Sequence, residues 1–203
     1  MKQSDMSYRT KAALAAALKK MMVKKPLNKI SIREIIEDCD VNRQTFYYHF
    51  EDIYELMKWM FEQDTAVLFK DRENMLLWQD GLLQLLYYLE ENRAICLCAL
   101  KSVGRHHIQK LFYDDLYELI YETINDCVRG LNTPPERKGD YINMLTQFCV
   151  VSLLGIMECW LNREIDKTPE ELVAFADDMI QDLMAGEKVR YGSPEGPFCE
   201  SDK

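Results

Sequence analysis

An all-α fold is the class this chain predicts, and three observations carry the prediction. Apolar residues recur three and four apart in nearly every segment, the spacing of one helix face. Glycine (8) and proline (6) are too scarce for a many-turned β protein. Capping signals, a Ser, Thr or Asp with Glu three residues on, mark helix starts at Ser31, Asp52 and Thr168. With 203 residues, 48% of them hydrophobic, the chain can bury a sizeable core in one domain or in a small domain plus a larger one.

In order along the chain, residues 9–24 place Leu14, Ala17, Leu18 and Met21 on one face, and Pro26 forbids continuation. Ser31 with Glu34 caps a short helix whose apolar face is Ile32, Ile35 and Ile36. A tight connection through Val41 leads to Asn42, a good N-cap for a second short helix, Arg43 to His49. Two short helices behind a longer one form a helix-turn-helix arrangement. Asp52 and Glu55 open a longer helix from Ile53 to about Lys70.

Four further helices are expected at Leu76–Glu90, Asn92–Leu100, Ile108–Arg129 and Tyr141–Asn162, with a loop from Gly130 to Gly139. The Tyr141–Asn162 segment is apolar nearly all round, so it is buried on more than one side. Thr168 caps the last helix, Pro169 to Ala185, which Gly186 is expected to end. The tail, 186–203, is dense in Gly, Pro and Ser and reads as disordered. The resulting division is a helix-turn-helix domain at 1–50, a helical body at 51–185 and the tail.

Charge divides the same way. Residues 1–50 hold ten Lys and Arg against five Asp and Glu, net +5, within a chain of net charge −9. A basic module that meets an anion and an acidic body that does not is the direct reading. Lys19, Lys20, Lys24, Lys25 and Lys29 form a cluster that is a solvated face on the plain reading and steers DNA without touching it on the sharper one. No run approaches bilayer-spanning length on this reading, and no signal-peptide pattern opens the chain, so a cytoplasmic protein is expected.

Catalytic and metal chemistry find little support. The chain has no GxSxG, HExxH, phosphate-loop or paired CxxC pattern, and Glu90-Glu91 and Asp114-Asp115 are adjacent pairs that do not face each other on a helix. Cys96 and Cys98, followed by His106 and His107, lack zinc-ligand spacing, and buried cysteine is the simpler reading. Neither enzyme activity, a metal nor a cofactor is expected. Trp78, Tyr87, Tyr88, Tyr113, Tyr117, Tyr121, Phe148 and Trp160 are core residues on the plain reading and pocket-lining on the sharper one.

The stretch NRQTFYYHF, Asn42 to Phe50, explains the basic module. The second helix of a helix-turn-helix enters the major groove by its N-terminal end, here Asn42, Arg43, Gln44 and Thr45. Arg pairs with guanine edges, Gln or Asn with adenine, and a Thr methyl meets thymine. Phe46 and Phe50, four apart, are placed to anchor the helix. Tyr47, Tyr48 and His49 fall on other faces, toward phosphate.

Residues 9–56, through SIREIIEDCDVNRQTFYYHFEDIYEL, resemble the DNA-binding domain of the TetR family of bacterial transcriptional regulators. Thr45, Phe46, Tyr47, His49, Phe50 and Leu56 match its T-[FL]-Y-x-[HY]-F run and following Leu in register. The resemblance implies that Arg43 and Gln44 read bases, that Thr45, Tyr47 and His49 touch the DNA backbone, and that Ser31 and Arg33 sit near phosphate. It also implies a homodimer through the last two helices (141–162 and 169–185) bound to double-stranded operator DNA. Two departures stand out. Ile53 occupies the place of a usual lysine, beside Glu51 and Asp52, which implies weaker affinity for generic DNA or substitution by Tyr54. Cys39-Asp40-Val41 stands where the family often has Ala-Gly-Val. Further on, Trp78 to Asn92 and RQTFYYHFEDIYELMKWMFEQD resemble the DhaS-like regulators of dihydroxyacetone kinase operons, implying control by a protein coactivator rather than a free small-molecule effector. The alternative is a helix-turn-helix-shaped scaffold that binds only protein.

Overall fold

The computed structural model describes residues 3–68, 78–103, 105–128 and 135–191. Side chains at 3–5, 67–68, 103, 105–112, 115, 127–128, 135–138, 184 and 187–191 lie outside that description. Among the described residues every regular element is helical: α1 (Gln3–Met22), a 3₁₀ turn (Leu27–Lys29), α2 (Ile32–Cys39), α3 (Arg43–His49), α4 (Ile53–Leu68), α5 (Trp78–Glu91), α6 (Arg93–Val103), α7 (Arg105–Val128), α8 (Pro135–Leu161) and α9 (Pro169–Tyr191). Two compact units result, one of Met1–Asp71 with Tyr88–Phe112, the other of Arg72–Tyr87 with Tyr113–Lys203. These units follow packing, whereas the boundary at residue 50 was drawn on charge and role.

In the first unit α1 packs on α2, α4 and α6, and α2 on α3. Leu14, Leu18, Ile35, Phe46 and Leu56 are wholly buried at the centre. The short helices are held by their ends as much as by this core. Ser31 Oγ accepts from the Glu34 N–H at 3.3 Å, while the Glu34 carboxylate accepts from the Ser31 N–H at 3.0 Å, a reciprocal cap. Asp40 ends α2 in the left-handed region at φ 53°, its N–H bonded to the Ile36 carbonyl. Aspartate tolerates that conformation better than most residues, which explains how it stands where glycine is common.

A polar contact ties α1, α4 and α5 together. Lys19 Nζ lies 2.5 Å from Asp64 Oδ2, and the buried Tyr88 hydroxyl donates to the same oxygen at 2.6 Å. Burial and the Asp64 carboxylate push the Tyr88 phenol pKa up, and burial lifts the Cys96 thiol to about 12. A half-buried carboxylate with two donors is satisfied; a donor left behind without it is not.

In the second unit α8 and α9 are joined through a tight turn. Arg163 is left-handed at φ 61°, the Trp160 indole N–H donates to the Lys167 carbonyl at 2.8 Å, and Thr168 with Glu171 caps α9. Leu116, Ile120, Ile124, Ile142 and Val150 are buried. Gln79 Nε2 donates to Asp177 at 2.7 Å, and the Tyr87 hydroxyl donates to Glu170, fastening α5 to α9.

Four expectations need correction. The segment Gly139–Leu161 is long and apolar enough to cross a membrane by length and composition, contrary to the reading that no run approaches that length. Only Asp140 and Glu158 are charged within it, and its intervening Thr, Ser and Gln residues do not break the apolar average. Helix α8 begins at Pro135, inside the expected loop, because proline suits the first helical turn, where its missing N–H has no intrahelical partner. Helix α9 continues through Gly186 to Tyr191. Glycine ends a helix by turning left-handed; in a helical conformation it costs only about 1 kcal/mol against alanine. Helix α1 starts at Gln3, ahead of residue 9. Residues 192–203 of the expected disordered tail lie outside the described residues.

Two outcomes follow from these contacts. Asp64→Ala, which strands Lys19 and the Tyr88 hydroxyl, is expected to lower unfolding free energy by about 1–3 kcal/mol, between the surface and buried ion-pair limits, in urea titration. Glu34 carries its carboxyl pKa near 2, against an ordinary 4.5, because Lys25 and then Ser31 donate to it. A depressed folded value stabilises above the unfolded pKa and loses that contribution as pH falls through the folded one. The stability gap between wild type and Glu34→Gln should therefore be full above pH 4.5 and shrink toward pH 2; an equal gap at pH 6 and pH 3 would refute the assignment.

Candidate nucleic-acid interface

Asn42 starts α3 with extended backbone angles (φ −87°, ψ 163°). Its Oδ1 accepts from the Thr45 N–H at 2.8 Å and from Thr45 Oγ1 at 3.0 Å. That oxygen and the Thr45 hydroxyl proton are thus engaged in capping, leaving the Asn42 amide NH₂ and a Thr45 lone pair outward.

Arg43 and Gln44 follow in the first turn, and both are exposed. The Arg43 guanidinium lies 5.6 Å from the Tyr47 ring centroid, and its Nη2 donates to the Tyr47 hydroxyl at 3.3 Å. Gln44 makes no side-chain hydrogen bond among the described residues. Tyr47 is half exposed and Tyr48 is 79% exposed.

Phe46 points the other way and is fully buried, with Phe50 2% exposed and 6.1 Å from it centroid to centroid. Behind Phe50 stands Trp59 of α4 at 6.0 Å, and Lys11 of α1 lies 5.4 Å from the Phe50 ring and 5.8 Å from Trp59. Tyr8 of α1 stands edge-on to Trp59 at 5.8 Å. Sequence reasoning missed Lys11 and Trp59; the spacing of Tyr8 and Lys11 on one turn of α1 is the local sign of that cluster. His49 is half-buried, edge-on to Tyr48 at 4.9 Å. Burial, and then the charge of Lys11, lowers its pKa below the ordinary 6.5, so at neutral pH it presents an uncharged imidazole.

Ser31 and Arg33 lie at the start of α2. The Ser31 hydroxyl donates to Glu34 at 2.9 Å, and Arg33 Nε donates to Glu37 at 2.7 Å. Both are therefore engaged within the helix, and the Glu37 contact raises the Arg33 pKa. The lysine cluster is likewise partly neutralised. Lys19 meets Asp64, Lys20 meets Asp38 and Lys25 meets Glu34, each at 2.5 Å. Lys24, Lys29, Arg9 and Arg43 carry no ion pair among the described residues. At the start of α4, Ile53 is half-buried, Asp52 Oδ1 accepts from the Glu55 N–H at 2.8 Å, and the Glu55 carboxylate accepts from the Glu51 N–H at 2.5 Å. Asp52 and Glu55 thus cap the helix. Tyr54 is exposed.

In the second unit one apolar cleft of about 190 Å³ runs between α8 and α9, with Phe148, Met157, Phe175 and Met179 in its lining and Leu82 and Leu86 of α5 beside them. Of the aromatic residues considered for a pocket, only Phe148 lines it. Tyr113, Tyr117 and Tyr121 stack along α7 at 5.8 and 6.0 Å, Tyr88 is held by Asp64, and Trp160 by the Lys167 carbonyl. Cys96 is buried, and the Cys98 thiol donates to the Lys25 carbonyl. The side chains of His106 and His107 lie outside the described residues.

The comparisons agree with this arrangement. Residues 9–59 match the model of bacterial regulatory proteins of the tetR family, and residues 77–182 match a model described as a transcriptional regulator C-terminal region. Over 84 residues the chain is 39% identical to the HTH-type dhaKLM operon transcriptional activator DhaS of Lactococcus lactis, a match spanning 41% of this chain and 45% of that relative. Two solved structures share the fold. One is described as the dihydroxyacetone kinase operon activator DhaS (TM-score 0.67, 24% identity, covering 88% of this chain and 97% of that one). The other is a TetR transcriptional regulator from Streptococcus agalactiae (TM-score 0.65, 23% identity, covering 88% and 97%). With the capped α2–α3 pair, the exposed polar first turn of α3 and family models matched in both halves, the chain belongs to the TetR family of bacterial transcriptional regulators.

Proposed function

We propose that this chain is a dimeric, sequence-specific reader of double-stranded operator DNA. In this reading Arg43 and Gln44 address base edges. The observation that carries it is the exposure of Arg43 and Gln44 on a helix capped by Asn42 and anchored by buried Phe46. Arg43 suits the two acceptors of guanine, and Gln44 the acceptor and donor of adenine. Thr45, Tyr47, Tyr48, Ser31 and Arg33 are assigned to the sugar-phosphate backbone. His49 is assigned there as an uncharged donor, and Asn42 acts mainly as the cap.

The dimer is assigned to α8 and α9. Met144 (66% exposed), Phe148 (62%) and Val151 (54%) form one stripe on α8, and Phe175 and Met179 another on α9. Large apolar side chains in a contiguous stripe favour burial against a second copy. A two-fold dimer would present two copies of α3 to half-sites about one helical turn apart. Control follows the relative: the similar protein is named an activator of the dhaKLM operon, and we assign this chain a comparable role, governed by a protein coactivator or a small-molecule effector that shifts the population of DNA-competent dimers. Nothing in this role requires chemistry on a substrate. A second reading, a scaffold that has lost specific DNA binding, draws on the pairing of Arg33 with Glu37 and on the missing lysine at Ile53.

Gel shifts on DNA from the chain's own upstream region, with a salt series and unrelated competitor, separate the two readings. Specific retention with a steep salt slope is expected. Arg43→Ala and Gln44→Ala should each relax discrimination at one base position by about 1–3 kcal/mol; an even loss over all sequences would make them phosphate contacts. Phe148→Asp should turn the dimer into a monomer in sedimentation velocity, and an unchanged dimer would place the interface elsewhere.

A further inference from the structure

The arginines of α2 and α3 are held in opposite ways. Arg33 donates its Nε–H to the Glu37 carboxylate, an anion that offsets its charge and competes with any nucleic-acid acceptor. Arg43 is held by a neutral aromatic face. Its guanidinium lies 5.6 Å from the centroid of the Tyr47 ring, and one of its N–H groups reaches the Tyr47 hydroxyl at 3.3 Å. The four-residue spacing puts the two on one face of α3. The Tyr47 ring has a firm backing of its own: it stands at 84° to the fully buried Phe46 ring, 5.6 Å away. Phe46 is therefore the fixed point from which Tyr47, and then Arg43, takes its position.

We propose that Tyr47 is a positioning residue for base readout, holding the Arg43 guanidinium ready before DNA arrives and so setting the selectivity that Arg43 supplies. The proposal rests on the reading that Arg43 addresses a base. Arginine is a long side chain whose freedom is lost when it docks, and a contact already made in the free protein removes part of that loss. A π face keeps the cation in place without neutralising it. It engages one N–H and leaves the other donors of the fork available for the paired acceptors of guanine. The exposure of Tyr47 then has a purpose separate from phosphate contact: it is the surface on which the reader rests. Phosphate contact alone predicts a different signature, since a backbone contact carries no sequence information.

The test is selection by the full-length chain from a duplex DNA library with a randomised core, followed by affinity measurement on the enriched sequence and its single-base variants. The proteins compared are wild type, Arg43→Ala, Tyr47→Leu, Tyr47→Phe and the double variant Arg43→Ala/Tyr47→Leu. Circular dichroism confirms that each is folded, which the exposure of both side chains favours. Arg43→Ala should lose its preference at one position of each half-site. Tyr47→Leu should weaken the preference at that same position by roughly two- to fivefold, the size of an exposed cation–π contact, and leave other positions unchanged. Tyr47→Phe, which keeps the ring, should retain most of the preference, and Tyr47→Leu should add nothing once Arg43 is gone. A preference at that position left unaltered by Tyr47→Leu, whether or not affinity falls evenly across all sequences, or a Phe variant as damaged as the Leu variant, would overturn the brace while leaving base reading by Arg43 intact. Failure of wild type to enrich any motif, or an even loss from Arg43→Ala alone, would overturn base reading itself and the brace with it.

Discussion

A seven-residue helix does not hold itself together in water, because nucleation costs more than so few hydrogen bonds return. α3 exists because Phe46 is buried completely and Asn42 satisfies its first turn. The rest of the proposed DNA-facing surface depends on that pair of constraints. With Phe46 fixed inward, the helix has one rotation about its axis, and Arg43, Gln44 and Tyr48 are outward by consequence. The aromatic cluster around Phe50, Trp59 and Lys11 then fixes where the helix ends and where the chain turns into α4. Substitution of Phe46 would disturb every proposed contact at once, whereas substitution of Gln44 touches one.

The charge of this unit is smaller in practice than in sequence. Lys20, Lys25 and Arg33 face Asp38, Glu34 and Glu37, and Lys19 faces Asp64. Three of these pairs lie within the helix-turn-helix segment itself and hold α1, α2 and the turn before α2 in place. Cations already serving the fold compete poorly for phosphate. Among the described residues Arg9, Lys11, Lys24, Lys29 and Arg43 carry no ion pair, and on the proposed reading they would supply the electrostatic attraction instead. The formal +5 of residues 1–50 therefore overstates the number of counterions that DNA binding would release.

Local rules carried the sequence reading a long way. The caps at Ser31, Asn42 and Thr168 depend on residues three apart, and all three are present as hydrogen bonds. Phe46 and Phe50 were legible as anchors from a four-residue spacing within one turn. The Lys19–Asp64–Tyr88 contact was not legible, since nothing local links a lysine of α1 to a carboxylate of α4 and a phenol of α5. Nor was the bracing of Arg43 by Tyr47, which depends on a choice of rotamer. The misplaced ends of α8 and α9 share a cause: Pro135 and Gly186 are ambiguous signals, compatible with a helix interior or its first turn as well as with a break. The apolar segment of α8 was legible as buried on more than one side, but its length was not weighed against that of a bilayer span.

The stripe of Met144, Phe148 and Val151 has a consequence for the life of the protein in a cell. It lies within a segment whose length and composition match those of a membrane span. A lone copy presents that surface to every lipid and chaperone it meets, and pairing as proposed above would remove it from reach. Stability then rises with the protein's own abundance by mass action. On that proposal a newly made chain is most vulnerable when it is rare, and stability of the regulator is tied to how much of it the cell makes.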